Sequence, residues 1–379
     1  MEYLLIAILT YTLFFIRNNY FAKSYAGVDE TKVENYNKVS YLAVIILILF
    51  AGLRAFSVGY DVPNYYKNFE LILESKNLSD GHSFELLYNI INLMCAYIFG
   101  ESGFTFVLII CAAIILVCVT FTAKNLSPDI SLTMFLFVTV DVYFRGFDQL
   151  RQSVAIAILM CAVVFVVKRK PIMFIFFVLL ATLFHNTSLI FLPVYLFNYI
   201  NKKNVIQYSF YGVVILVAAV FCIFEKQIIK IVCDIFGLSY YDQYVAAGFG
   251  IEKLTTIGWF EIVFNVLIVG FFLIYKIWYE KKNKKQISSN YNLFLGLYFC
   301  STILYLVSAI CGRPSLYGRL VYYFFWSLII LVPIFISTIE NKKWKMAMQC
   351  VMMLVGFLYL ILSIFLIDAH GIVPYVSVI

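Results

Sequence analysis

The chain has 379 residues, of which 63% are hydrophobic and only 13% charged. Its mean hydropathy of +0.93 is more than a soluble domain can bury, which excludes a soluble globular fold and predicts a polytopic membrane protein. The net charge of +7 reads as Lys and Arg fixing orientation in a bilayer and not as a nucleic-acid surface, because no basic groove with stacking aromatics accompanies it.

In chain order, the apolar runs predict an all-α, single transmembrane domain over 1–379 with about twelve membrane spans of the ~20 residues a bilayer demands. They fall at 1–16, 39–56, 103–123, 129–144, 149–167, 171–185, 187–200, 205–224, 257–278, 290–311, 319–338 and 346–367. The first run has no basic segment before it and no small-residue cleavage site, so it is expected to stay as a span. Residues 83–99 are apolar but carry Glu85, Asn89 and Asn92 at helical spacing, which predicts an interfacial or re-entrant helix with a polar face. The stretch 225–256 is the longest polar insertion, with an amphipathic start and a Tyr- and Gly-rich remainder that could form a lid. Lysine clusters at 168–170, 202–203, 281–285 and 342–345 are expected on the cytoplasmic side. That places 144–150, 185–187, 225–256, 312–318 and 368–379 on the outer side. The nine cysteines stand singly, without C-x-x-C or metal spacing, and read as small apolar side chains.

The most charged apolar neighbourhood is 144–157, FRGFDQLRQSVAIA. Arg145, Asp148 and Arg151 are three residues apart and on a continuous helix would share one broad face. Guanidinium groups in such surroundings either serve a function or are neutralised, here by Asp148, to lock two helix ends. More widely, the predicted cytoplasmic charges are lysine runs, whereas the outer ones are arginines at helix ends beside aromatics and glycine: Arg54, Arg145, Arg151, Arg313 and Arg319. Arginine binds phosphate oxygens in bidentate fashion and stays charged when partly buried, so this set points to a lipid phosphate or pyrophosphate. Interfacial snorkelling accounts for one or two such residues better than for five.

Asp61, in Gly59-Tyr60-Asp61, either orients a sugar hydroxyl or caps the helix that starts near Asn64, with capping the stronger expectation. His185 ends an apolar run and is followed by Asn186, Thr187 and Ser188; it is a candidate proton acceptor or a helix-end cap. Of the other histidines, His82 lies in a polar loop and His370 in the tail, neither in a notable context. No P-loop, G-x-G-x-x-G, G-x-S-x-G or outer D-x-D motif is present.

The stretches GLRAFSVGYDVPNYY (52–66), RGFDQLRQSVAIAI (145–158), LLATLFHNTSLIFLP (179–193) and GRPSLYGRLVYY (312–323) resemble, in order and spacing, the EpsG-like branch of bacterial polysaccharide polymerases, related in role to Wzy-type O-antigen polymerases. The resemblance implies a bacterial inner-membrane glycosyltransferase with its site at the periplasmic face and no metal or other cofactor. Its substrates would be undecaprenyl-pyrophosphate-linked oligosaccharide repeat units, with membrane lipid around it, a chain-length regulator as a further partner and no nucleic acid. On this reading Arg54, Arg145, Arg151, Arg313 and Arg319 hold pyrophosphate. His185 is the first choice of base, followed by Asp148 and then Asp61, and Asp61, Tyr65, Tyr66 and Tyr317 line the sugar path. A flippase of the same pathway and an O-antigen ligase are the alternatives. A flippase would place its charges near the midplane and often show two related halves, which this chain lacks.

Overall fold

A computed structural model describes residues 2–24, 30–78, 84–200, 203–236 and 256–378. Among them the structure is all-α, with no strand and one isolated bridge between Arg54 and Ser377. Seven helical stretches are long and apolar enough to cross a membrane by length and composition: 86–126, 150–167, 204–223, 258–283, 289–310, 317–337 and 342–366. Four shorter apolar helices, Glu2–Phe15, Ser40–Gly52, Ile130–Thr139 and Pro171–Thr182, accompany them. Large apolar side chains such as Ile172, Val205, Leu216 and Ile274 point outward from these helices. Water does not tolerate so much exposed apolar surface, and lipid does, so the chain is a multi-pass membrane protein.

The chain divides into two compact units, residues 1–192 with 332–379, and residues 193–331. In the first unit the helices are α1 (Glu2–Ser24), α2 (Glu30–Gly52), α3 (Val62–Ser75), α4 (Leu86–Phe99), α5 (Gly103–Leu126), α6 (Ile130–Thr139), α7 (Arg145–Asp148), α8 (Leu150–Val167) and α9 (Pro171–Thr182). Helix α8 is apolar all round and almost wholly buried, with α5 and α9 packed on it and α2 on α5. Ala155, Ala157 and Ala162 keep it thin, so neighbouring backbones can approach closely.

Helices α4 and α5 are separated by a turn at Gly100–Ser102, where Gly100 takes φ +58. The polar face predicted for 83–99 is real but faces inward. Asn89 and Asn92 are buried, Asn68 of α3 donates to Asn89 (3.2 Å), and Leu86, Met94, Tyr97 and Ile98 face out. The predicted span 187–200 also takes another form. Asn186–Leu196 is a 3₁₀ helix with Pro193 inside it, followed by the short helix α10 (Phe197–Ile200). Proline has no N–H to give an α-helical ladder, which fits the interruption.

The second unit is built from α11 (Asn204–Ile223), α12 (Glu225–Phe236), α13 (Thr256–Asn283), α14 (Ser289–Ile310) and α15 (Pro314–Phe325), with α14 packed against α15, α11 and α13. Helix α12 is the amphipathic start predicted for the 225–256 insertion; residues 237–255 lie outside the described residues. Helix α16 (Leu328–Ser337) follows, and α17 (Lys342–Leu360) returns to the first unit, where it packs on α6. Asn341 starts α17 by accepting from the backbone N–H groups of Lys343 (2.9 Å) and Trp344 (3.2 Å). Asn341→Ala removes that cap and should lower thermal stability in detergent by about 1 kcal/mol without altering activity.

Candidate active site

The neighbourhood of Arg145 and Arg151 is set by two breaks in the helical backbone. Helix α6 stops at Thr139, and Asp141 adopts φ +68, a left-handed conformation unusual for a residue with a side chain. One turn, α7, follows, and Gln149 (φ −88, ψ 60) leaves the helical region before α8 begins. The shared face expected of Arg145, Asp148 and Arg151 therefore does not exist. Asp148 neutralises neither arginine: Arg145 reaches back to Asp141 (2.6 Å), and Arg151 turns away to Glu85.

Glu85, just before α4, is the node of the first cluster. Its carboxylate pairs with Arg151 at the start of α8 and with His185 Nδ1 (3.0 Å) after α9, and it accepts the Asn186 N–H (3.2 Å). A backbone bond from Leu87 N–H to the Leu183 carbonyl (3.0 Å) fixes these segments side by side. The Arg151 guanidinium lies 3.8 Å over the Phe84 ring and 5.6 Å from that of Tyr65. Glu85, Arg151 and His185 are 9, 17 and 18% exposed, so the pairs are shielded yet reachable from one side. Burial alone would raise the Glu85 carboxyl, but the His185 hydrogen bond and the Arg151 charge outweigh it and bring it down to about 2. An ionised carboxylate only accepts, so Nδ1 of His185 carries the proton and Nε2, on the far side of the ring, is left able to take one.

A second cluster is built around Asp148, Asp141 and His370. Asp148 Oδ1 accepts the backbone N–H of Asp61 (2.8 Å), while its Oδ2 stands 3.7 Å from His370 Nδ1. His370 Nε2 meets Asp141 Oδ1 at 2.5 Å. Asp61 is at the N-cap of α3 but its side chain makes no capping bond, so the expected cap is not formed. Arg54 is buried beneath α7, with its guanidinium donating to the carbonyls of Ala51, Gly146 (3.4 Å) and Phe147 (3.3 Å) and lying 4.6 Å over the Phe147 ring. Tyr65 is buried against Phe84 and Tyr88, whereas Tyr66 is partly exposed and stacks on Phe56 (4.4 Å).

In the second unit, Arg313 Nε (2.7 Å) and the Tyr317 hydroxyl (2.6 Å) both donate to Glu225 Oε1 at the start of α12. Arg313 is buried and Arg319, two turns along, is exposed. Among the described residues, no group of three or more His, Cys, Asp or Glu side chains is arranged to hold a metal ion.

Within the first unit the structure thus joins His185 and Arg151 to one carboxylate, Glu85, with the Tyr65 ring beside Arg151; Arg145 pairs with Asp141, and His370 links Asp141 to Asp148, which accepts from the Asp61 backbone. Within the second it joins Arg313 to Tyr317. The carboxylates and the second histidine lie outside the expected site residues: from the sequence Glu85 is part of a polar face, Glu225 the start of an insertion, Asp141 the end of an apolar run and His370 part of the tail. Their one sequence signal is electrostatic. Buried arginines in an apolar chain need counter-charges, and few acidic residues lie in or beside its apolar runs.

No curated protein and no solved structure matches the chain. The model of the EpsG family matches residues 38–377. That match takes in the 54–61 turn, Glu85, the α7–α8 break, His185, the Arg313 region and the tail with His370, and the chain belongs to the EpsG family, a Wzy-like polysaccharide polymerase family.

Proposed function

We propose that the chain joins undecaprenyl-pyrophosphate-linked oligosaccharide repeat units by glycosyl transfer, from a site facing the periplasm or cell exterior. The observation that carries this is the Arg151–Glu85–His185 arrangement, in which three separate segments bring a cation and an oriented imidazole to one spot. In the step proposed, a hydroxyl of the acceptor sugar attacks the anomeric carbon of the donor. His185 Nε2 takes the hydroxyl proton, the new C–O bond forms, and the bond to the pyrophosphate oxygen breaks with its electron pair leaving on undecaprenyl pyrophosphate. Glu85 is a positioning residue that fixes the tautomer and balances the imidazolium, as a buried carboxylate does beside a catalytic histidine.

Negative charge builds on the leaving diphosphate, and arginines in water-poor surroundings stabilise it. Arg151 and Arg145 of the first unit are the candidates for that contact; within the second unit, Arg313, paired with Glu225, and the exposed Arg319 are a separate candidate pair for an anion. Arg54 is assigned to holding the α7 turn, because its guanidinium is spent on backbone carbonyls. Asp148 is the second choice of base, with one oxygen already taken by the Asp61 N–H. Tyr66 is the best placed tyrosine for a sugar ring, since Tyr65 and Tyr317 are buried. The seven long and four shorter apolar helices, with the 187–200 segment, are read as about twelve spans.

The test is a deletion strain complemented with variants. Deletion should leave single repeat units on the anchor; loss of all surface sugar would favour a flippase, and free unanchored polymer a ligase. His185→Ala should reduce polymerisation in membranes supplied with lipid-linked units by about 10²–10⁴-fold at unchanged expression. A full-length polysaccharide ladder from His185→Ala would overturn the assignment.

A further inference from the structure

The C-terminal tail is built into the first unit in a way that the proposed chemistry does not use. Its backbone is stapled to the turn that carries Arg54 and Asp61. Ala55 N–H donates to the Val376 carbonyl (2.8 Å), Val378 N–H to Leu53 (2.9 Å), Gly59 N–H to Gly371 (2.9 Å) and Tyr60 N–H to His370 (3.2 Å). Tyr375 stacks on Phe50 at 4.4 Å, and the Tyr3 hydroxyl of α1 donates to Ile372. The segment so anchored delivers one titratable side chain inward. His370 is 2% exposed and lies between Asp141 and Asp148. Its Nδ1 is buried without a hydrogen bond, 3.7 Å from Asp148 Oδ2, and a polar atom left in that position demands a reason.

We propose that His370 is a positioning residue of the same site, whose positive charge offsets Asp141 and Asp148 so that a diphosphate can lie beside them. The proposal rests on the polymerase reading above. Asp141 faces the Arg145 guanidinium and the His370 imidazole, and Asp148 faces the same imidazole from the other ring nitrogen. With His370 protonated the four charges cancel. With His370 neutral or absent, a net negative charge stands beside Arg145, where the proposed diphosphate would lie. One unbalanced charge at about 8 Å, in an effective dielectric near 20, is enough to change anion affinity by about tenfold or more. The groups facing His370 from the elements packed around it are Asp141, Arg145 and Asp148 near α7, Tyr60 and the Asp61 backbone before α3, Tyr3 of α1, and Asp368 of the tail itself. Burial would lower the His370 pKa, but Asp141 outweighs it and holds it above the ordinary 6.5. The charge is therefore present below that value and is lost as pH rises through the raised one.

The experiment measures kcat and KM for a lipid-diphosphate-linked oligosaccharide donor with purified full-length protein in detergent or nanodiscs. His370→Gln should raise the donor KM by about tenfold with a smaller change in kcat. Adding Asp141→Asn to it removes the surplus negative charge and should restore most of the donor KM. If His370 merely props up the fold, the second change should worsen the first instead. An unchanged KM in His370→Gln, or a double variant worse than either single one, overturns the proposal. Should His370→Gln not yield folded protein, the wild-type protein decides. Sugar diphosphodiesters do not titrate near neutrality, so a rise in donor KM with pH supports the charge role and a KM independent of pH through the neutral-to-alkaline range refutes it. A wild-type protein that does not polymerise these units would instead refute the polymerase reading, independently of His370.

Discussion

Glu85→Gln should cost polymerisation about 10²-fold or more while the protein still folds, a larger loss than from any tyrosine of the site. Glutamine keeps the length and one accepting oxygen, but it removes the charge that faces both Arg151 and His185. Two consequences follow. His185 loses the acceptor that enforces a proton on Nδ1, so the ring can sit in the wrong tautomer, a change that costs about 10⁴-fold where it has been isolated in a serine protease. Arg151, stacked over Phe84, is left partly buried without its counter-ion. Glu85→Ala goes further, since it opens space between three segments and strands the guanidinium; there about 3 kcal/mol of stability should go as well. The pH behaviour follows from the same pairing. The Glu85 carboxyl is held down to about 2, below its ordinary 4.5, so its stabilisation is complete above 4.5 and is lost only as pH falls towards 2. The measurements are turnover with lipid-linked units and melting in detergent. A Glu85→Gln protein with wild-type turnover would remove the carboxylate from the mechanism and leave His185 without its orienting partner.

What the sequence makes legible here is whatever depends on local period and composition. Apolar runs of span length predict α5, α8, α11 and α14, and each is a helix in the structure. Of the segments that the lysine rule expects on one side, 144–150 meets 368–379 through Asp148 and His370, and Glu85 joins His185 to Arg151 just past 150. The pairings themselves were not legible, because spacing only reports neighbours on one helix. Arg145, Asp148 and Arg151 have ideal helical spacing, and it misleads, since the backbone leaves the helix at Gln149, with Gly146 three residues earlier as a weak signal. Glu85 and His185 are separated by 100 residues and Asp141 and His370 by 229, and no periodicity connects such positions. The general signal was charge. Arginines buried in an apolar chain must find carboxylates, and asking where those were would have raised Glu85, Asp141 and Glu225 together.

Gly59→Ala should be the most destabilising single methyl in the first unit, and it links the 54–61 turn to the proposed site. Gly59 takes φ +113, outside the conformations open to a residue with a Cβ. A Cβ there would stand 2.3 Å from the Phe147 carbonyl oxygen and 2.7 Å from Val62 Cγ2. The first neighbour is backbone of α7, which cannot rotate aside as a flexible side chain would. Holding an L residue in this region costs about 1–3 kcal/mol before the clash is counted. Relief therefore means moving α7 away from the turn, which breaks the Asp61 N–H to Asp148 bond and the Gly59–Gly371 bond that anchors the tail. Together these should cost about 3 kcal/mol or more, seen as lost folded protein in detergent chromatography and a large fall in Tm. Two controls separate backbone strain from crowding. Gly100 has φ +58 and ψ −133 with nothing within 4 Å of a Cβ, so Gly100→Ala meets no clash and should cost only its backbone strain, about 1–3 kcal/mol. Gly212 lies within α11 with open space around it, so Gly212→Ala should be neutral or stabilise by up to about 1 kcal/mol. If Gly59→Ala melts alongside Gly212→Ala, then the turn does not press on α7, and the tail, Asp148 and Arg54 cease to be one connected support for the site.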